Sequence, residues 1–238
     1  SITLLLKLPL SRRLTSPGVA MNASPEMANA LLVSRDAARR SVTIMESSFL
    51  QFFMIPIPHF LELVRCFGLS GQSARETARK AKKKYRELIG RLPEFEKADR
   101  FMTNEVNCAM LAAFILSMPE RPDVQRLTDY YARAMMTGLV RRVFRASGKS
   151  QFTEKDIAGM KATAALRAAD RNPYSWNMEF LPYDDGSGYE ARFSRCGICT
   201  LMRELGLYDL TPAMCHLDYT MAEAGEVTNF VREYTLAS

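Results

Sequence analysis

From about residue 25 to residue 170 apolar positions recur at helical spacing, with breaks where Pro and Gly fall, and this pattern predicts four or five helices. The first runs through "MANALLVSRDAARRSVTIMESSFLQFF" to "MIPIPHF", where Pro56 and Pro58 exclude a continued helix. A basic helix follows, in which Tyr85, Leu88, Ile89 and Leu92 keep the spacing and Ser73 with Glu76 reads as a capping box. "EFEKADRFMTNEVNCAMLAAFILSM" carries Phe101, Val106, Met110, Ala113 and Leu116 before Pro119. "DVQRLTDYYARAMMTGLVRRVFRAS" reads as one further helix closed by Gly148, and Thr153 with Asp156 opens another that ends near Asp170.

The period then changes to two. Trp176, Met178 and Phe180 alternate with polar neighbours, "DDGSG" supplies a turn, and Tyr189, Ala191 and Phe193 alternate again, which predicts a β-hairpin. "VTNFVREYTL" at 227–236 is β-branched and aromatic enough for a third strand. Two helices fall between the second and third strands. In 196–205, Ile198, Leu201, Met202 and Leu205 stand at i, i+3, i+4 and i+7 before Gly206; the other helix spans 212–224, with Thr211 as N-cap and Pro212 as first helical residue. The expected fold class is α+β, a helical N-terminal region packed against a small antiparallel sheet with two inserted helices. Residues 1–24 read as a flexible leader, 25–171 as the helical region and 172–238 as a small α+β region carrying the site, the last two forming one domain.

Composition narrows the class. The chain has 238 residues, 47% hydrophobic and 24% charged, which is enough for a sizeable core. No apolar run reaches the ~18 residues of a membrane span. "SITLLLKLPLSRR" puts its arginines after the apolar part, the reverse of a secretory signal; a transit peptide is the lesser alternative. Five cysteines cannot all pair within the chain, so a reducing, cytoplasmic setting is expected. The net charge of +6 gathers in "ARKAKKKYREL", where Lys80, Lys82, Lys83 and Lys84 form the solvated side of an amphipathic helix. With only Tyr85 among them, nucleic acid is disfavoured as a partner.

Chemistry concentrates in "RCGICTLMRELGLYDLTPAMCHLDY", residues 195–219. Its spacing, Cys196-x2-Cys199 and then Cys215-x2-Asp218, resembles a four-ligand zinc pattern with the last cysteine replaced, so zinc or another divalent metal is one reading. Helical phase regroups these residues. Cys196, Cys199 and Arg203 share a face, with Cys196 at a helix N-terminus that favours thiolate. Cys215, Asp218, Tyr219 and Ala222 share a face of the second helix, opposite Met214, Leu217 and Met221. His216 lies about 200° around the helix from Asp218, so a local Cys-His-Asp triad fails. Cys66 and Cys108 read as core, and His59 as a capping or hydrogen-bonding histidine.

The order of landmarks resembles the L-2-amino-thiazoline-4-carboxylic acid hydrolase family. Those landmarks are Cys196 after a strand, an amphipathic helix ending at Gly206, then Leu210, Pro212, Cys215 and Asp218 in a Leu-x-Pro-x-x-Cys-x-x-Asp segment, and Arg232, Thr235, Leu236 and Ala237 in an Arg-x-x-Thr-Leu-Ala segment. "NEVNCAMLAAF" and Trp176 are similar too. The family pattern runs on to a Cys-Asp-Phe ending that this sequence does not contain, so no role is carried over for that cysteine. What the resemblance implies is a hydrolase of non-peptide carbon–nitrogen compounds that opens a small cyclic amidine, an aminothiazoline carboxylate, to an N-carbamoyl amino acid. It implies Asp218 as general base or amidinium partner, Cys196 and Cys215 as nucleophiles or ring-orienting groups, and Arg232 and Trp176 as substrate-binding residues. The rival reading is a non-catalytic sensor domain binding a small ligand or zinc.

Overall fold

A computed structural model of the chain describes residues 56–93, 95, 101–149, 151–226, 230–233 and 235–237. The leader and the first expected helix lie outside the described residues. Helix α1 (Pro56–Phe67) starts at the first of the two prolines, so both occupy its first turn, where a missing N–H costs nothing. Helix α2 (Gly71–Ile89) is capped by Ser70, whose hydroxyl oxygen accepts from the Ser73 amide at 3.1 Å. The cap expected at Ser73 is therefore displaced by one turn, because Gly71 already begins the helix. Ala74, Thr77, Ala81, Tyr85 and Leu88 face inward, while Lys80 and Lys83 are exposed as predicted.

Helix α3 (Met102–Ile115) is the central element: every residue from Cys108 to Ile115 is buried. A helix apolar on all sides must be enclosed by others, and α3 packs against α2 on one side and α7 (Gly197–Glu204) on another. The single helix expected over 123–147 is two, α4 (Val124–Met135) and α5 (Gly138–Gly148). Met136 leaves helical geometry at ψ 49°, and the Thr137 carbonyl accepts from the Arg141 amide at 2.9 Å to start the next helix. Thr and Gly are weak helix formers, and the break lets α4 pack on α1 while both α4 and α5 meet α8 (Thr211–Gly225).

Helix α6 (Glu154–Ala168) is capped by Thr153, which accepts from the Asp156 amide, as its sequence predicts. At its far end the buried Arg167 bonds Asp170 at 2.7 Å and Ser175 Oγ at 3.3 Å, pinning the loop that delivers Trp176. Strands β1 (Asn177–Pro182) and β2 (Tyr189–Arg195) form the expected hairpin, with Met178 opposite Phe193 and Phe180 opposite Ala191. Helix α7 ends in a Schellman motif: Gly206 at φ +67° donates to Arg203 O, and Leu207 N–H donates to Met202 O at 2.8 Å. A 3-10 turn at Tyr208–Leu210 runs directly into α8, so Thr211 is the first residue of the helix and Leu210, not Thr211, holds the N-cap position.

The third strand is a correction. Among the described residues the sheet has two strands, and 230–233 and 235–237 lie outside any ladder. Phe230 packs edge-on against Tyr219, and Tyr208 Oη donates to Leu236 O at 2.7 Å, so the segment lies on helices instead of on a sheet edge. Its β-rich composition signalled a half-buried extended segment without specifying what it pairs with. The helices α7 and α8 consequently follow the sheet.

The main core takes Leu63, Leu111, Leu127 and Tyr131 from the helical region and Met202, Leu210 and Leu217 from beyond residue 172. A second cluster joins Phe101, Met160, Trp176 and Met178. The two meet at the start of α7 through Gly197. A Cβ there would lie 2.1 Å from Tyr174 O and 2.8 Å from both Glu105 Oε2 and Trp176 Cζ3. Only hydrogen fits in that space.

His59 is fully buried, stacked on Phe114 at 4.7 Å, with Nδ1 2.6 Å from Tyr130 Oη. It is a hydrogen-bonding core histidine, and burial lowers its pKa to about 3. The unfolded chain takes up a proton near pH 6.5 and the native chain does not until about pH 3, so the neutral ring's contribution is complete above 6.5 and is lost as pH falls below it. Urea unfolding between pH 7.5 and 5 should therefore show a component of about 1.4 kcal/mol per pH unit below 6.5 that is absent in His59→Gln. A second expectation concerns Gly197: Gly197→Ala should cost at least about 2 kcal/mol by the same assay, because its nearest neighbour is a backbone carbonyl that cannot rotate away.

Candidate functional site

Two groups of side chains come together around α7 and α8. The first is a set of thiols. Cys196 holds the N-cap position of α7 in extended geometry (φ −135°, ψ 121°), and Cys199 lies one turn on, buried. The Cys196 and Cys199 side chains hydrogen-bond to each other, which pushes the Cys196 thiol up and the Cys199 thiol down. Arg203, on the same face as predicted, adds to the lowering at Cys199 and rests over the Tyr208 ring at 4.4 Å. Cys108 of α3 and Cys215 of α8 sit near enough for their charges to be felt by this pair. Burial raises Cys108 well above an ordinary thiol, with the neighbouring Glu105 carboxylate adding to the effect. Burial likewise pushes Cys215 up to about 11, partly opposed by Arg232. All five cysteines are free thiols, Cys66 being the one on α1.

The second group is an ion pair on α8. One Arg232 amine bonds Asp218 Oδ2 and another donates to the Cys215 carbonyl at 2.7 Å. The guanidinium lies 4.9 Å from the Phe230 ring and 5.6 Å from the Tyr219 ring. Arg232 is thus held by a carboxylate, a carbonyl and two aromatic rings, while both charged side chains keep partial exposure, 20% for Arg232 and 29% for Asp218. Tyr131 of α4 stands behind this pair, buried, its phenol pushed up by burial and by the nearby Cys108 and Asp218.

Of the residues singled out from sequence, Cys215, Asp218 and Arg232 converge, and Cys196 joins them through the thiol set. Arg232 sits on an irregular segment instead of a strand, and its partner is Asp218. Trp176 is buried in the second core, stacked on Phe101 at 5.4 Å and touching the backbone of α7 at Gly197. His216 is exposed, its ring 5.7 Å from Tyr219. Cys108 is buried in the main core as expected, but its place beside the thiols, and that of Glu105, was missed. Their signal was a lone carboxylate three residues before a cysteine in an otherwise apolar helix, which places both on one face.

For the zinc reading, no group of three or more His, Cys, Asp or Glu side chains among the described residues is arranged to hold a metal ion. Two small clefts are apparent, about 110 Å³ beside Arg91, Tyr174 and Glu204, and about 170 Å³ beside Phe67, Pro119 and Arg126. Neither borders Asp218 or Arg232, whose mutual pairing closes the surface between them. No described helix is long and apolar enough to cross a membrane.

Comparison with known proteins places this arrangement. No curated protein and no solved structure matches the chain. The family model described as L-2-amino-thiazoline-4-carboxylic acid hydrolase matches residues 104–238, from the first turn of α3 onward, and so spans Glu105, the four clustered thiols and the Asp218–Arg232 pair. With more than half its length matched, and with Cys196, Cys215 and Asp218 gathered on two adjoining helices and Arg232 paired to the second of them, the chain belongs to the L-2-amino-thiazoline-4-carboxylic acid hydrolase family.

Proposed function

We propose that the protein hydrolyses a small cyclic amidine of the aminothiazoline carboxylate type to an N-carbamoyl amino acid bearing a free thiol. The observation that carries this reading is the partly exposed Asp218–Arg232 pair, with the guanidinium beside the Tyr219 and Phe230 rings. An aminothiazoline carboxylate is a compact zwitterion, with a planar amidinium at one end and a carboxylate on a tetrahedral carbon at the other. A preformed pair of opposite charges can exchange its internal contact for two external ones, Arg232 forking onto the carboxylate and Asp218 onto the amidinium. Tyr219 and Phe230 supply faces for the ring.

In the chemistry that follows, water adds to the amidine carbon, Asp218 takes its proton, the carbon–sulfur bond breaks and the sulfur leaves as a thiol. Attack by water fits this site better than attack by Cys215. A thiol pushed up to about 11 is protonated near neutral pH and serves as a proton donor to the departing sulfur. Cys196 and Trp176 act at the edge of the site, as a second thiol and as the wall that fixes the start of α7.

Release of thiol from the aminothiazoline carboxylate, followed colorimetrically, tests the proposal. Asp218→Asn should keep the native circular dichroism spectrum and lose at least about a hundredfold in kcat/KM, while Arg232→Gln should act mainly by raising KM. Silence of the unaltered chain across a panel of cyclic amidines, or a fully active Asp218→Asn, would refute it. The state of Cys215 gives a further check. Its alkylation by iodoacetamide should climb steadily between pH 8 and 11, and a plateau by pH 8 would assign it a thiolate and reopen covalent attack.

A further inference from the structure

The motif Cys196-Gly-Ile-Cys199 has a chemistry that ring opening does not require. We infer that Cys196 and Cys199 form a reversible dithiol–disulfide couple, a modification site for two-electron oxidation by a small peroxide. Three features support it. The two residues straddle the start of α7, one at the N-cap and the other in the first turn, on the same face. A pair placed in that way spans about 5–6 Å between Cα atoms, within the range a disulfide accepts. Their side chains already interact with one another, so rotation about a side-chain bond, without movement of the backbone, brings the sulfurs to bonding distance.

The local fold also suits both states. Cys196 has extended backbone at the N-cap, where its carbonyl takes the Thr200 amide at 3.3 Å while its side chain makes no capping bond, so its χ1 can turn toward Cys199 without unwinding α7. Gly197, between them, holds the helix start fixed against Glu105 and the Tyr174 carbonyl. Cys196, the more exposed of the two, gives a small oxidant a way in, and Cys199, the thiol held down by its contact with Cys196, lies directly behind it.

The thiolate of the pair attacks a peroxide oxygen, the oxygen–oxygen bond breaks, and a sulfenic acid and hydroxide form; the hydroxide takes the remaining proton of the pair. The second sulfur then displaces the sulfenic hydroxyl, which leaves as water by taking up the proton released to solvent when the first thiolate formed. In total two thiols and one hydrogen peroxide give one disulfide and two water molecules, the peroxide being reduced. A small dithiol reverses the step by exchange.

The test uses the full chain and reads mass instead of activity, so it stands apart from the proposed function. Arg195 and Arg203 bracket one tryptic peptide, Cys196 to Arg203, that contains both thiols. After treatment with stoichiometric hydrogen peroxide and trapping of free thiols with iodoacetamide, this peptide should appear unalkylated and two hydrogens lighter than its reduced form. Dithiothreitol should restore two alkylation sites. Phenylarsine oxide, a probe for neighbouring dithiols, should protect both thiols of the reduced protein at one equivalent. Recovery of both cysteines alkylated, irreversible gain of oxygen on either, or a bridge from Cys196 to Cys108 or Cys215 would overturn the assignment. Because the wild-type chain alone gives these readings, a variant that fails to fold cannot blur the result.

Discussion

The missing side chain at Gly197 is the constraint on which the arrangement rests. With only hydrogen in that position, the start of α7 presses against the Tyr174 carbonyl, the Glu105 carboxylate and the Trp176 ring at once. Three separate elements, the central helix α3, the loop pinned by Arg167 and the C-terminal helices, are thereby brought to one point. Cys196 and Cys199 follow from that docking, because they flank the glycine in sequence. Their proximity to Cys108 and Cys215 is a consequence of how closely α7 sits on α3.

The two halves of the site differ in electrostatic character, and the difference assigns their work. Burial holds the thiols of Cys108 and Cys215 protonated, at Cys215 against the opposing pull of Arg232. Asp218 and Arg232 stay partly exposed and satisfy each other, so the formal charges here are held as a pair.

Local features were legible because their causes are local. The phases of α7 and α8, the Gly206 stop, the Thr153 cap and the hairpin depend on residues within one or two turns, and each stands where its sequence puts it. The grouping of Cys215 with Asp218 held for the same reason. What failed depended on neighbours far away in sequence: 227–236 has strand composition, but its described residues 230–233 and 235–236 lie on α8 and its flank, and Arg232 found Asp218. The break between α4 and α5 at Thr137 was present as a weak Thr-Gly pair and outvoted by the apolar period on both sides. Glu105 and Cys108 were visible as letters, yet nothing short of the packing of α3 against α7 showed that they face the thiols.

Coupling between Asp218 and Arg232 in the reaction tests this account most directly. A double-mutant cycle on kcat/KM for thiol release, built from Asp218→Asn, Arg232→Gln and the double variant, measures whether they act as one unit. The account predicts that the double variant falls well short of the combined losses, with an interaction of at least about 1.5 kcal/mol, as expected for partners in direct contact. Strictly additive losses would show that the two residues serve the reaction separately, and would contradict the exchange of one internal ion pair for a zwitterionic substrate.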